Sequence, residues 1–209
     1  MRFTALELGT ADLQRARQFW TETMGLRELS ATPSSVTWQV GTTAWTLTQA
    51  ATPPAIAHFA FNIPENRFDE AIAWLRQRAP LLTEPEGRER FAFSDWDAHA
   101  VYFPDPDGNI AELIARHTLL GSRRESLELL SISEIGLVVD DVPTAAAQLG
   151  LPSYRPGHAS FRPMGDEEGL VIVVPRERPW YPDNRHPAQP VAWKLTLADG
   201  RVLEGLPDA

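Results

Sequence analysis

The 209 residues include no cysteine, and the nineteen basic side chains include one lysine, Lys194, the rest being arginine. Without cysteine there is no disulfide framework, no cysteine-ligated zinc ribbon and no thiol nucleophile. No apolar run comes near the ~20 residues a membrane-spanning helix needs. The start, Met-Arg-Phe-Thr-Ala-Leu-Glu-Leu, alternates like a strand and does not read as a secretion signal. The expectation is a cytoplasmic protein with no membrane contact. Basic segments are missing as well. The net charge of −9 divides into zero over residues 1–50, −5 over 55–117 and −4 over 130–209. No stretch therefore offers the clustered Lys and Arg of a nucleic-acid surface. A nucleophile elbow, a phosphate-binding glycine loop and a Ser-His-Asp ordering are absent too.

What is present is a folding chain, 43% hydrophobic and 22% charged, too apolar for disorder. Its eighteen prolines predict many loops and few long helices. Three segments repeat one plan of alternating strand, acidic residue, short helix and later hairpin. The first runs from Phe3 through Asp12 into a helix carrying Leu13, Ala16, Phe19, Trp20 and Met24 at helical spacing, with Gly25 as its stop. The second runs from Ile56 through Pro64-Glu65 into a helix with Phe68, Ala71, Ile72 and Leu75 on one face. The third runs from Ile135 through Asp141, with Pro143 in the first helical turn and Gly150 as the stop. Hairpins are predicted over 37–47, 101–113 and 161–174, and a last one around Asp199-Gly200.

The predicted fold class is α+β, with paired βαβββ modules forming a cupped mixed sheet and a third, truncated βαβ-type module. By this reading residues 1–117 are a two-module domain (modules 1–50 and 55–117). Residues 118–131 are a linker, and 132–209 hold the degenerate third module and a proline-rich tail. A helix covers only one sheet face, so the other must meet a second sheet or enclose a ligand. Strand alternation sorts the faces. Phe59 and Phe61 belong under the helix, leaving His58, Ala60 and Asn62 toward the cup. If Glu112 faces the cup it shares a surface with His58, and a histidine and a carboxylate in an apolar cavity form a candidate pair of metal ligands. Tyr102 falls on the inward face as a substrate contact. Trp45, like Trp38, either lines the cup or packs beneath a helix. His117, His158 and His186 fall in loops or at element ends.

The run Tyr102-Phe-Pro-Asp-Pro-Asp-Gly-Asn-Ile-Ala-Glu112-Leu113, with Asp12-Leu13, Phe19-Trp20 and Gly25-Leu26, resembles the vicinal oxygen chelate superfamily. That superfamily includes glyoxalase I, fosfomycin- and bleomycin-resistance proteins and extradiol dioxygenases. The resemblance implies a single divalent metal between paired modules, held by a first-strand residue seven positions before the acidic helix start and by a last-strand residue. His58 stands seven before Glu65, with Glu112 on the last strand. Ala5, seven before Asp12, cannot coordinate a metal. Glu134, seven before Asp141, could, but its own module offers only apolar Val171 to Val173, so a structural role is expected for it. Glu7, on the face of Ala5, is the candidate third ligand or general base. Asn62, Tyr102 and Trp45 are the candidate substrate contacts. The resemblance implies a metal-dependent lyase or isomerase acting on a small molecule with adjacent oxygens, and less readily an extradiol dioxygenase. The alternative is a metal-free binding protein of the bleomycin-resistance type. The unpaired third module either docks on the first two or pairs with its copy in a homodimer.

Overall fold

The computed structural model describes residues 1–155 and 157–205. The first module comprises β1 (Phe3–Thr10), α1 (Leu13–Arg17) and the hairpin strands β2 (Arg27–Ala31), β3 (Ser35–Val40) and β4 (Thr43–Gln49). The second comprises β5 (His58–Asn62), α2 (Phe68–Arg76), β6 (Phe91–Phe93), β7 (Ala98–Pro104) and β8 (Ile110–Arg116). The third has β9 (Ser131–Val139), α3 (Val142–Leu149), β10 (Arg162–Asp166) and β11 (Gly169–Pro175), and the tail ends in the hairpin β12 (Trp193–Leu197) and β13 (Val202–Gly205). The fold is thus α+β with few helices and two mixed sheets, as the repeat predicts.

Two of the three helix starts follow the predicted chemistry. Asp12 and Asp141 each accept a hydrogen bond from the backbone N–H three residues on, at 3.0 Å, satisfying donors the first turn leaves free. Glu65 does not cap α2, which begins at Phe68 without a side-chain cap. It pairs instead with His117 and Arg123. The expected first helix, over 13–24, forms as α1 continued directly by a π-helical turn over Gln18–Thr23.

The strand order shows which modules pair. The first sheet runs β13-β12-β1-β4-β3-β2 and the second β10-β11-β9-β5-β8-β7-β6. The second module therefore shares its sheet with the third, through antiparallel β5 and β9. The first module pairs with the tail hairpin, through antiparallel β1 and β12. The third module finds its partner inside the chain. Alternation separates the two faces of β5, both of them buried, but it carries no information on which strand completes its edge.

The two sheets meet through their helix-bearing faces. Trp20, Trp38 and Trp45 are fully buried there. Trp45 meets Trp20 edge-on at 4.6 Å and Phe59 of the second sheet at 5.3 Å. The Asp-Pro-Asp-Gly turn ties the halves together. Asp105 accepts from the backbone of Asp107 and Asn109, and Asp107 accepts from Thr10, the Ala11 N–H and Arg15. Gly108 takes φ +83° in this turn, a conformation that favours glycine. Each sheet turns its remaining face away from this core.

Candidate functional site

One row of residues crosses the outward face of the second sheet. Tyr102 on β7 pairs with Glu112 on β8, Glu112 with Ala60 on β5, and Ala60 with Glu134 on β9. Strands lie about 4.8 Å apart, so two carboxylates flank Ala60, whose methyl group leaves the space between them open. His58 stands two residues earlier on β5, on the same face. Its Nδ1 donates to the Ile110 carbonyl at 3.1 Å, which leaves the Nε2 lone pair aimed away from the backbone. Nε2 lies 3.6 Å from Glu112 Oε2 and 3.6 Å from Glu134 Oε2. One ligand-type atom from each of the three residues lies within 4.8 Å of the others, and all three residues are buried.

The surroundings set the charge state. Arg116, fully buried at the end of β8, donates through Nη2 to Glu134 Oε1 and through Nε to Asn62 Oδ1 at 3.2 Å. Burial raises the Glu134 pKa, but the Arg116 guanidinium and His58 outweigh it and hold the carboxyl below its ordinary value. For Glu112, burial and then the Glu134 charge push the pKa up to about 8. Burial pulls the His58 pKa down, yet the facing carboxylates win and its proton is held more tightly than usual. Tyr102 faces Glu112 across the strand pair, and burial leads the rise of its own pKa. Two carboxylates and one guanidinium leave one negative charge, which a proton or a cation must balance in so buried a place.

The cluster opens into a cavity of about 300 Å³ walled by Ile172, Trp96, Phe93, Trp180 and Tyr181, among others. Trp180, in the proline-rich stretch before β12, has its ring 5.5 Å from that of His58. Gly136 makes this possible, because a Cβ there would stand 2.7 Å from Trp180 Cη2.

The structure brings together His58, Glu112 and Tyr102 from the sequence-derived candidates. Three others lie elsewhere. Glu7 is exposed on the first sheet, 3.7 Å from Lys194 on the neighbouring strand β12. Trp45 is in the core between the sheets. Asn62 does not line the cavity; it positions Arg116 and donates to the Glu167 carbonyl at 2.8 Å. Glu134, expected to be structural, completes the cluster, and its register seven residues before Asp141 was its one signal. His158, expected in a loop or at an element end, lines the cavity.

The chain is similar to known proteins in sequence pattern and in fold. A family model described as the Glyoxalase/Bleomycin resistance protein/Dioxygenase superfamily matches residues 2–113. No curated protein matches the chain. Among solved structures, a dioxygenase-designated protein from Bacillus subtilis superposes with TM-score 0.62 at 14% identity, over 83% of this chain and 63% of that one. The chain thus spans under two thirds of that protein's length. Glyoxalase I from Zea mays superposes with TM-score 0.55 at 19% identity, over 83% of this chain and 66% of that one. A variant of the Zea mays enzyme reaches TM-score 0.58 at 16% identity, over 95% and 75%. At such identities these likenesses concern the fold alone.

Proposed function

Since the chain belongs to the glyoxalase/bleomycin resistance protein/dioxygenase superfamily, we propose that it is a divalent-metal-dependent lyase or isomerase acting on a small substrate with adjacent oxygens. One observation carries this reading: His58 Nε2 faces two buried carboxylate oxygens at 3.6 Å each. An imidazole and two carboxylates suit a divalent cation and leave coordination positions open. His58, Glu112 and Glu134 would hold the metal, which when bound supplies Lewis acidity toward the substrate's oxygens. Arg116 fixes Glu134 as the permanently anionic member. Glu112 has no guanidinium partner of its own and stands opposite Tyr102 on β7. It is the residue to take a proton from the substrate carbon beside the oxygens and to return it at the neighbouring one. Trp180 and the other ring side chains exclude water from that exchange.

A second reading, a metal-free binding protein, draws support from Ile172. It pairs with Gly136 as Glu112 pairs with Ala60, so the symmetric fourth ligand position is apolar. The experiment is the metal content of protein purified without chelators. The enzyme reading expects about one equivalent per chain, lost in His58→Ala. Content below ~0.1 equivalent, unchanged by that substitution, overturns it in favour of the binding protein. All three ligand residues come from one chain, so the reading holds for a monomer and for a homodimer, and sedimentation decides between them. Its setting is the cytoplasm; among the described residues no helix is long and apolar enough to cross a membrane.

A further inference from the structure

The cavity has a second charged feature that takes no part in the His58 cluster. Arg178, half-buried in the stretch between β11 and β12, lines the same cavity. Among the described residues no carboxylate lies within ion-pair range of it. Its guanidinium sits over the Phe161 ring at 5.2 Å, and Nη1 makes one long contact, donating to the Pro179 carbonyl at 3.4 Å. A guanidinium presents five N–H donors in a planar fork that matches a carboxylate. Burial already draws the Arg178 pKa down, a cost that an anionic partner relieves. The rest of the cavity wall is largely aromatic. Trp180 is buried and its Nε1 has no hydrogen-bond partner, while Tyr181 meets Phe91 edge-on at 5.0 Å.

These two features select a ligand together. An aliphatic acid would forgo the edge-on and offset ring pairing that the wall offers, and a neutral arene would leave the half-buried guanidinium unpaired. A cavity of about 300 Å³ is at the small end of ligand pockets and has room for one or two fused rings. We propose that the cavity takes an aromatic ring bearing a carboxylate, the ring held among Trp180, Tyr181, Phe93 and Trp96 and the carboxylate paired with Arg178. The inference rests on the reading of this cavity as the ligand site, and it is independent of the metal, because Arg178 is separate from the His58 cluster.

The test is a fluorescence and calorimetric titration of the full chain, dialysed against EDTA, with 2-naphthoate and with its uncharged analogue 2-naphthamide. The expected result is that 2-naphthoate quenches tryptophan emission and binds about tenfold or more tighter than the amide. Arg178→Gln should weaken 2-naphthoate by about tenfold while amide binding, which reports an intact cavity, stays unchanged. Arg178→Lys should restore part of the loss. Equal affinity for the two probes, or 2-naphthoate binding insensitive to Arg178→Gln, overturns the proposal. So does 2-naphthoate binding that needs added Zn²⁺ and ignores Arg178. Binding by a chain that takes up no metal upholds the inference and overturns the metal-dependent reading. Metal uptake without 2-naphthoate binding does the reverse.

Discussion

Removing one carboxylate from the buried cluster should abolish metal-induced stabilisation, and the size of the effect follows from the site. A cation that binds only the folded chain stabilises it by about 2.7 kcal/mol at a hundred times its dissociation constant. For a chain of this length, 1 kcal/mol raises the melting temperature by roughly 2–4 °C, so Zn²⁺ or Mn²⁺ at that excess should add about 5–10 °C. Glu134→Gln replaces an anionic oxygen 3.6 Å from His58 Nε2 by a neutral amide, and the same metal concentration should then add under about 1 °C. The pH dependence has a definite sign. Glu112, with its folded pKa raised to about 8, and His58, also raised, stabilise the metal-free fold while protonated. Both contributions are lost as pH rises through the folded values. The metal-free melting temperature should therefore fall between about pH 5 and 8, and the metal-induced rise should grow over the same interval as the cation replaces the proton. Glu134, with its pKa lowered, contributes stability that is lost only on the acid side of the ordinary carboxylate value. The assay is differential scanning fluorimetry with metal and with EDTA across this range. An equal metal shift in the wild type, Glu134→Gln and His58→Ala would refute the assignment of these ligands.

Arg116→Met strips the buried Glu134 carboxylate of its guanidinium partner and should cost about 3–5 kcal/mol in urea unfolding, with part of the loss recovered in the double variant with Glu134→Gln. Trp45→Ala empties the core between the sheets and should cost about 3–5 kcal/mol, with the metal stoichiometry unchanged. Glu7→Gln, on the first sheet beside Lys194, should leave metal uptake unchanged and stability within ~0.5 kcal/mol. Ile172→Glu places a third carboxylate opposite the other two. It should tighten Zn²⁺ binding in competition with a chelating dye, and lower the melting temperature of the metal-free protein.

One face of β5 was legible because a period of two places His58 and Ala60 on one side whatever the strand pairs with, and the β5–β8 register then brings Glu112 beside Ala60. The partner of that face was not legible. Glu134 is discounted when it is weighed against Val171 to Val173 of its own module, whereas its partners stand across the β5–β9 seam. Arg178, Trp180 and Tyr181 come from a proline-rich stretch with no strand or helix period, so no pattern marks them as cavity wall. One sequence signal does survive translation into structure. The two strands that meet at the seam, β5 and β9, each carry a ligand-type residue followed two positions later by a small one, His58 then Ala60 and Glu134 then Gly136. The small residues are as necessary as the ligands. Ala60 keeps the space between the carboxylates open, and Gly136 admits Trp180. On β1 the order is inverted, with Ala5 at the ligand position and Glu7 at the spacer position. The first sheet is mixed like the second, yet among the described residues its open face gathers no ligand cluster, and Glu7 is left to pair with Lys194.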